Sequence, residues 1–319
     1  MSERPRLLVD CDPGHDDALA LAVAARHADV VGITTVAGNA PLEHTTRNAL
    51  VLRDLLELDA PVHAGADRPL VAPPRHAPQV HGPSGLDGPA PRQPTRDADG
   101  DDAAAFIVDT CRAEEGIWLV AIGPLTNVAL ALRRAPDLAG RLGGISLMGG
   151  SATAGNVTPT AEFNVWADPE AAAAVFASGV RPLVMSGLNL TRQFALDDDF
   201  VGGLRQAADE RATFYAELLD YYLDRQEITS GRRAAVAHDV CAVLAVTHPE
   251  LIAAEMRPVQ VETAGALTRG MTVVDERRYP GREDRANTAV GYAIDAERAT
   301  ALVRGAIVAA ALPAPSGAA

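Results

Sequence analysis

Apolar and polar positions along the chain follow two alternating periods. Arg6–Asp10 is a short apolar run ending in acids, which predicts a buried strand, and Asp16–Ala28 has helical spacing and is rich in Ala and Leu. Val30–Val36 is apolar and β-branched, the pattern of a second strand, and Pro41–Leu58 is helical again. Further strands are predicted at Ile117–Ala121, Ile145–Met148 and Leu183–Ser186, each followed by Gly, Pro or Asn and then by a helical segment. Strands alternating with helices imply βαβ units and a mostly parallel sheet. In such sheets ligands bind beyond the carboxyl ends of the strands. The polar residues gather there: "DCDPGHDD" follows the first strand, "AGNA" the second, and "IGPLTN" and "GGSATAGNVTPTAEFN" the next two.

Residues 61–100 break the pattern. They hold nine of the 22 prolines and contain "HGPSGLDG" at 81–88. A long irregular stretch of this kind is expected to be a lid or binding loop, here a flexible flap over about 65–100. With no internal repeat and no linker, residues 1–319 read as one domain, with a frayed tail at about 313–319.

Composition narrows the chemistry. Net charge is −14, which argues against a nucleic acid or an anionic membrane as the main partner. All 28 basic residues are Arg; there is no Lys. Cys11, Cys111 and Cys241 are odd in number and far apart, which fits a reducing cytoplasm better than a disulfide framework. The opening "MSERPRLLVD" lacks the apolar run of a signal peptide, and no stretch reads as a membrane span. With aromatics at 4%, the core must be built from Ala, Val, Leu and Ile.

The first bend places Asp10, Asp12, Asp16 and Asp17 within eight residues. Asp12 before Pro13 reads as a helix N-cap with Pro at the first helical position. Asp16 and Asp17 then fall in the first turn, where the helix dipole favours negative charge by roughly 0.3–1 kcal/mol each. Capping explains one or two acids, not four. A hard cation among them resolves their repulsion, with Asp12 and Asp17 flanking it and Asp16 turned to a substrate. An EF-hand is excluded, because its fifth and twelfth positions would be Gly14 and Leu21. An aspartyl phosphotransferase would normally recruit a Lys to the phosphate. Asp168 before Pro169 reads as an N-cap, Cys11 as a packing residue, and Met148 as core close to the site.

The bend "DCDPGHDDA" resembles the N-terminal signature of the inosine–uridine-preferring nucleoside hydrolases. "AGN" at 37–39, "HGPSGLDG" at 81–88, "GPLTN" at 123–127, "EFNVWADPEAA" at 162–172, "HDV" at 238–240 and "LTRGMTVVD" at 267–275 follow in the same order. The resemblance implies an open, mixed, mostly parallel sheet flanked by helices, Rossmann-like in shape but without a dinucleotide fingerprint. It implies a Ca²⁺ site formed by Asp12, Asp17, Asp239 and the backbone carbonyl of Thr126, with Asp12 also the general base toward a water activated at the metal. Asp16, Asn156, Glu162 and Asn164 would clamp the ribose, with Asn39 close by and Glu162 and Asn164 at the 5′-hydroxyl. His81 would sit on the flap over the base, and His238 would help the base to leave. "YYLDRQEITS" offers Tyr221, Tyr222 and Gln226 as further base contacts. Relatives form dimers or tetramers, so a homo-oligomer is expected.

The activity implied is hydrolysis of the N-glycosidic bond of a ribonucleoside to base and ribose, with inversion at C1′ because water and leaving base lie on opposite faces of the sugar. A metal-dependent phosphohydrolase, or a non-catalytic nucleoside or ribose binder, could use the same acids. His238 favours a substrate range that includes pyrimidines.

Overall fold

The computed structural model describes residues 4–207 and 209–308; the tail expected at 313–319 lies outside them. In its first half the chain runs β1 (Arg6–Cys11), α1 (His15–His27), β2 (Asp29–Thr35), α2 (Leu42–Leu55), β3 (Val62–Ala64), α3 (Pro78–His81), α4 (Ala103–Ala113), β4 (Trp118–Ala121), α5 (Thr126–Arg134) and β5 (Gly144–Met148). Next come α6 (Phe163–Ala167), α7 (Pro169–Phe176), β6 (Leu183–Ser186), α8 (Leu188–Thr191), β7 (Ala195–Leu196), α9 (Asp198–Gln206), α10 (Glu210–Ser230) and β8 (Ala235–Val236). The chain closes with α11 (His238–Thr247), β9 (Ile252–Arg257), β10 (Val259–Val261), β11 (Thr272–Val274), β12 (Thr288–Ile294) and α12 (Ala296–Ile307).

Eight strands form the central sheet in the order β3-β2-β1-β4-β5-β6-β12-β9. Neighbours run parallel throughout except β9, which pairs antiparallel with β12. The order reverses between β1 and β4, and an open α/β sheet forms its ligand crevice at such a switch point. The residue that follows β1 there is Asp12.

Alternation along β1 distributes its side chains. Leu7, Val9 and Cys11 join the core on the face covered by α1, α10, α11 and α12, whereas Leu8 joins the core formed with α4, α5 and α7. By the same alternation Asp10 falls on the α5 face. Helix α1 is buried from His15 to Ala25, and its Ala-rich sequence lets neighbouring helices pack closely around it. Each fully buried Leu along it contributes roughly 1.5–3 kcal/mol.

Two local expectations are corrected. Asp12 does not cap α1: the helix begins at His15 with Gly14 as its cap. The capping contact comes from inside the first turn, where Asp17 accepts the Gly14 amide at 2.9 Å and the Asp12 amide at 3.2 Å. Asp12 is thereby left available to the crevice. Residues 61–100 are also less irregular than their prolines suggest, since they contain β3 and the short α3. Their first part is fastened: Ala66 accepts the Ala37 amide, Leu70 donates to Asp168, and Ala77 donates to the Asn39 carbonyl. Among the described residues no helix is long and apolar enough to cross a membrane.

Candidate active site

Asp12 is wholly buried, and its Oδ2 accepts the Asn39 amide at 2.7 Å. Its Oδ1 is buried without a hydrogen-bond partner. Two glycines admit this carboxylate. A Cβ at Gly38 would overlap Oδ2, and one at Gly123 would lie 2.7 Å from Oδ1. The loops after β2 and β4 are therefore cut to the shape of one side chain. Asn39 ties the bend together, its amide nitrogen donating to the Asp12 carbonyl at 3.2 Å and to Asp17 at 3.3 Å.

One carboxylate oxygen from each of Asp16, Asp17 and Asp239 lies within 4.8 Å of the others, and all three residues are buried. Asp239 enters from the first turn of α11, which packs on α1. Successive helical residues point about 100° apart, yet Asp16 and Asp17 bring their oxygens within 4.8 Å of each other, so Asp16 is not turned away from the cluster. Two full charges at that spacing repel by roughly 3–4 kcal/mol at an effective dielectric near 20. Burial, and then the neighbouring charge, push Asp12, Asp16 and Asp239 well above the usual carboxylate range. Burial lifts Asp17 less, to about 6, because the amides of Gly14 and Asp12 hold its charged form. The donor set fits a hard divalent cation, since it consists of buried carboxylate oxygens alone, with Asp16 in the group of three where Asp12 was expected. Asp10 stands apart, on the α5 face, where it accepts from Thr34 Oγ1 at 2.6 Å and Asn127 Nδ2 at 2.8 Å. Burial raises it to about 7.

Thr126 opens α5, buried, with its hydroxyl donating to Asp168 at 2.7 Å. Asp168 caps α7 as expected, and by also accepting from Thr126 and Leu70 it fixes the start of α5 against the strap after β3. Glu162 caps α6 and accepts the amides of Gly150, Asn164 and Val165. Asn164 donates its side-chain amide to the carbonyls of Ile122 and Met148 at 3.0 and 3.1 Å, which leaves its Oδ1 to accept. Met148 is core, its sulfur touching Asn164. Asn156 is exposed on the loop before α6 and does not join the buried group. That loop is held by Arg192, which donates to the Gly155 carbonyl at 2.7 Å.

At the other end of the crevice His238 opens α11, and its Nδ1 lies 2.7 Å from Thr191 Oγ1. Burial lowers its pKa to about 4, with Arg192 adding to the effect. His81 ends α3, buried, with its ring against His15 and Tyr222. Tyr222 is buried within α10 and donates to the Val236 carbonyl at 3.3 Å, while Tyr221 stacks on His15.

The sequence profile of the inosine-uridine preferring nucleoside hydrolases matches residues 7–301. The chain belongs to that family. It is 40% identical over 298 residues to a pyrimidine-specific ribonucleoside hydrolase, RihB, of Escherichia coli O157:H7, covering 92% of this chain and 94% of the relative. Its fold matches a plant nucleoside hydrolase, PpNRh1, with a TM-score of 0.89 at 28% identity, over 96% of this chain and 100% of the other. A purine-preferring ribonucleoside hydrolase from Gardnerella vaginalis matches with a TM-score of 0.89 at 30% identity, over 95% and 98%.

This nucleoside hydrolase is therefore a nucleoside N-glycosidase, and the non-catalytic binder gives way to it. The sequence does not mark the site contacts of three crevice residues, Asp168 being expected only as an N-cap. Thr191 and Asp168 act on site residues 47 and 42 positions away, beyond any motif spacing. His15 sits inside the "GHDD" signature itself, and its polar character between Gly14 and Asp16 was the available signal.

Proposed function

We propose that this nucleoside hydrolase cleaves ribonucleosides, pyrimidine nucleosides among them, with Asp12 as general base. The observation that carries the assignment is Asp12 Oδ1, buried at the switch point without a protein partner beside three clustered carboxylates. Asp12, Asp17, Asp239 and the Thr126 carbonyl would hold Ca²⁺, a choice supported by an all-oxygen donor set. When bound, the cation would lower the pKa of nearby water and offset the carboxylate charge.

Asp12 Oδ1 takes the proton of the water that attacks C1′. Asp16, Glu162 and Asn164 hold the ribose hydroxyls, with Asn39 keeping Asp12 and Asp17 in register, and this fixes the sugar for in-line attack. Asn156 joins the clamp when its loop closes on the sugar. The negative surroundings favour the positive charge that develops on the ribose. His238, with Nδ1 accepting from the Thr191 hydroxyl, presents an Nε2 proton to the departing base, and His81 faces the base beside it. The 40% identity to a pyrimidine-specific relative supports a pyrimidine range.

The test is elemental analysis of the purified enzyme with a panel of nucleosides. Bound calcium, ribose release abolished by a chelator, and release restored by Ca²⁺ are expected; full activity with no divalent metal sinks the cation assignment. Asp12→Asn should lower kcat by at least about 10²–10⁴-fold. Ribose should first appear by proton NMR as the inverted anomer.

Three free, buried cysteines support a cytoplasmic location. A core that covers both faces of one sheet supports a single domain. Exposed Met256, Leu267 and Val273 provide apolar surface for association into dimers or tetramers, which sedimentation velocity would read.

A further inference from the structure

Helix α2 turns one face inward, carrying Thr45, Asn48, Ala49 and Leu52 at helical spacing, all buried. Asn is out of place on such a face. It forms helices poorly, and it brings an amide that must be paired when buried. Its Nδ2 donates to the Pro13 carbonyl at 3.0 Å and to the Ser84 carbonyl at 2.9 Å. A carbonyl oxygen only accepts, so the NH₂ end must point this way, and its two protons meet two acceptors. Pro13 follows Asp12 in the acidic bend, and Ser84 lies in the stretch "HGPSGLDG" that begins at His81. One side chain from a third element therefore joins the bend to the flap.

Packing does little to secure this part of the flap. Behind Ser84, Leu86 and Gly88 lies a pocket of about 170 Å³, lined on its other side by Arg47, Val51 and Phe214. Gly82, Gly85 and Gly88 have φ of 77°, 82° and 126°, and glycine loses the most conformational freedom on folding. Gly85 rests on the anchor: a Cβ there would lie 3.2 Å from Asn48 Nδ2 and 3.0 Å from the Ala40 Cβ. His44 Nδ1 also lies 3.1 Å from the Pro83 carbonyl, but in an exposed place where water can replace it. At the near end the flap meets the bend closely, since a Cβ on Gly14 would lie 2.6 Å from His81 Nδ1. A small rise of the flap would open that contact. The bend has other ties, to Asp17 and Asn39, that do not pass through α2.

We infer that Asn48 is a positioning residue that fixes the flap to the acidic bend and so sets the depth of the base pocket above the ribose. This rests on His81 facing the base and Asp12 facing C1′, as proposed above. Loss of the Asn48 amide then loosens the grip on the base, whereas the ribose keeps its partners Asp16, Glu162 and Asn164.

The test compares full-length wild type with Asn48→Ala by hydrogen exchange and by kinetics. Within the flap the Gly85 amide donates to the Gly82 carbonyl, and the Asp87 amide to the His81 carbonyl. In Asn48→Ala both should exchange at least about tenfold faster, while amides in β4 and β5 keep their rates. The variant should lower kcat/KM for uridine about 10- to 100-fold. The inhibition constant of free ribose, which has no base for the flap to cover, should stay near the wild-type value. Unchanged exchange at Gly85 and Asp87 overturns the inference. So does a ribose constant that rises as far as kcat/KM falls, because the bend and not the flap would then be disturbed. If Asn48→Ala does not fold, Asn48→Ser, with one donor for two carbonyls, takes its place with the same outcomes. Exchange reads the tie without any substrate, so failure of the nucleoside reading would appear separately, as no ribose released from any nucleoside.

Discussion

At the residue scale the crevice pairs the groups proposed to do chemistry with groups that hold them still. Asp12 is set by Asn39 and by the absence of side chains at Gly38 and Gly123. His238 is set by Thr191, whose hydroxyl lies 2.7 Å from Nδ1 and fixes the orientation of the ring. Thr191→Val keeps the shape and removes that hydroxyl. We expect it to lower kcat for uridine about tenfold or more while leaving p-nitrophenyl riboside, whose leaving group needs no proton, much less affected. Equal losses on both substrates would mean that Thr191 matters for packing alone. Of this scale the sequence revealed the acids, because capping does not account for four carboxylates in eight residues, although Asp10 stands apart on the α5 face. It did not reveal Thr191 or the His15–His81 contact, because nothing local marks a partner 47 or 66 positions away.

At the element scale, two of the positive charges near the crevice are already engaged. Arg192 donates to the Ala154 and Gly155 carbonyls of the Asn156 loop, and Arg233 is paired with Asp198 and Asp224. Neither is free to meet a phosphate. Glu162, buried under its three amides at the start of α6, would face the 5′ substituent. A carboxylate about 4 Å from a phosphate costs roughly 4 kcal/mol per pair of charges. Uridine should therefore exceed uridine 5′-monophosphate in kcat/KM by about 100-fold or more at matched ionic strength, and comparable values would refute the clamp assignment. The elements themselves were legible where patterning is strong. Five of the eight central strands, β1, β2, β4, β5 and β6, are apolar runs closed by turn residues. β3 has only three residues, and β9, largely exposed along "IAAEMR", lacks the alternation of a half-buried strand.

At the scale of the whole molecule, a half-buried histidine away from the crevice is expected to limit acid tolerance. His27 ends α1 edge-on to His248, and burial, then His248, Arg26 and Arg4, lower its pKa from 6.5 to about 4. Between those values the unfolded chain binds a proton that the folded one does not, so stability falls as pH drops from 6.5 to about 4 and levels off below. His27→Gln cannot take up that proton. Its Tm should fall less than the wild type's over this window, and parallel Tm–pH curves would show that His27 is not responsible.

Asp17 joins two of these scales. The same carboxylate that belongs to the acidic cluster also receives the amides of Gly14 and Asp12 and so starts α1, the helix at the centre of the core. Loss of a cation from the site would raise the repulsion on Asp17 and loosen the first turn of that helix. Opening of the crevice and melting of the α1 end would then become a single event, and a bound ion would act as a brake on it. Hydrogen exchange should report this directly. The amides of Gly14 and Asp12 should exchange together, should slow as Ca²⁺ is added, and should lose that response in Asp17→Asn, while amides in β4 and β5 keep one rate throughout.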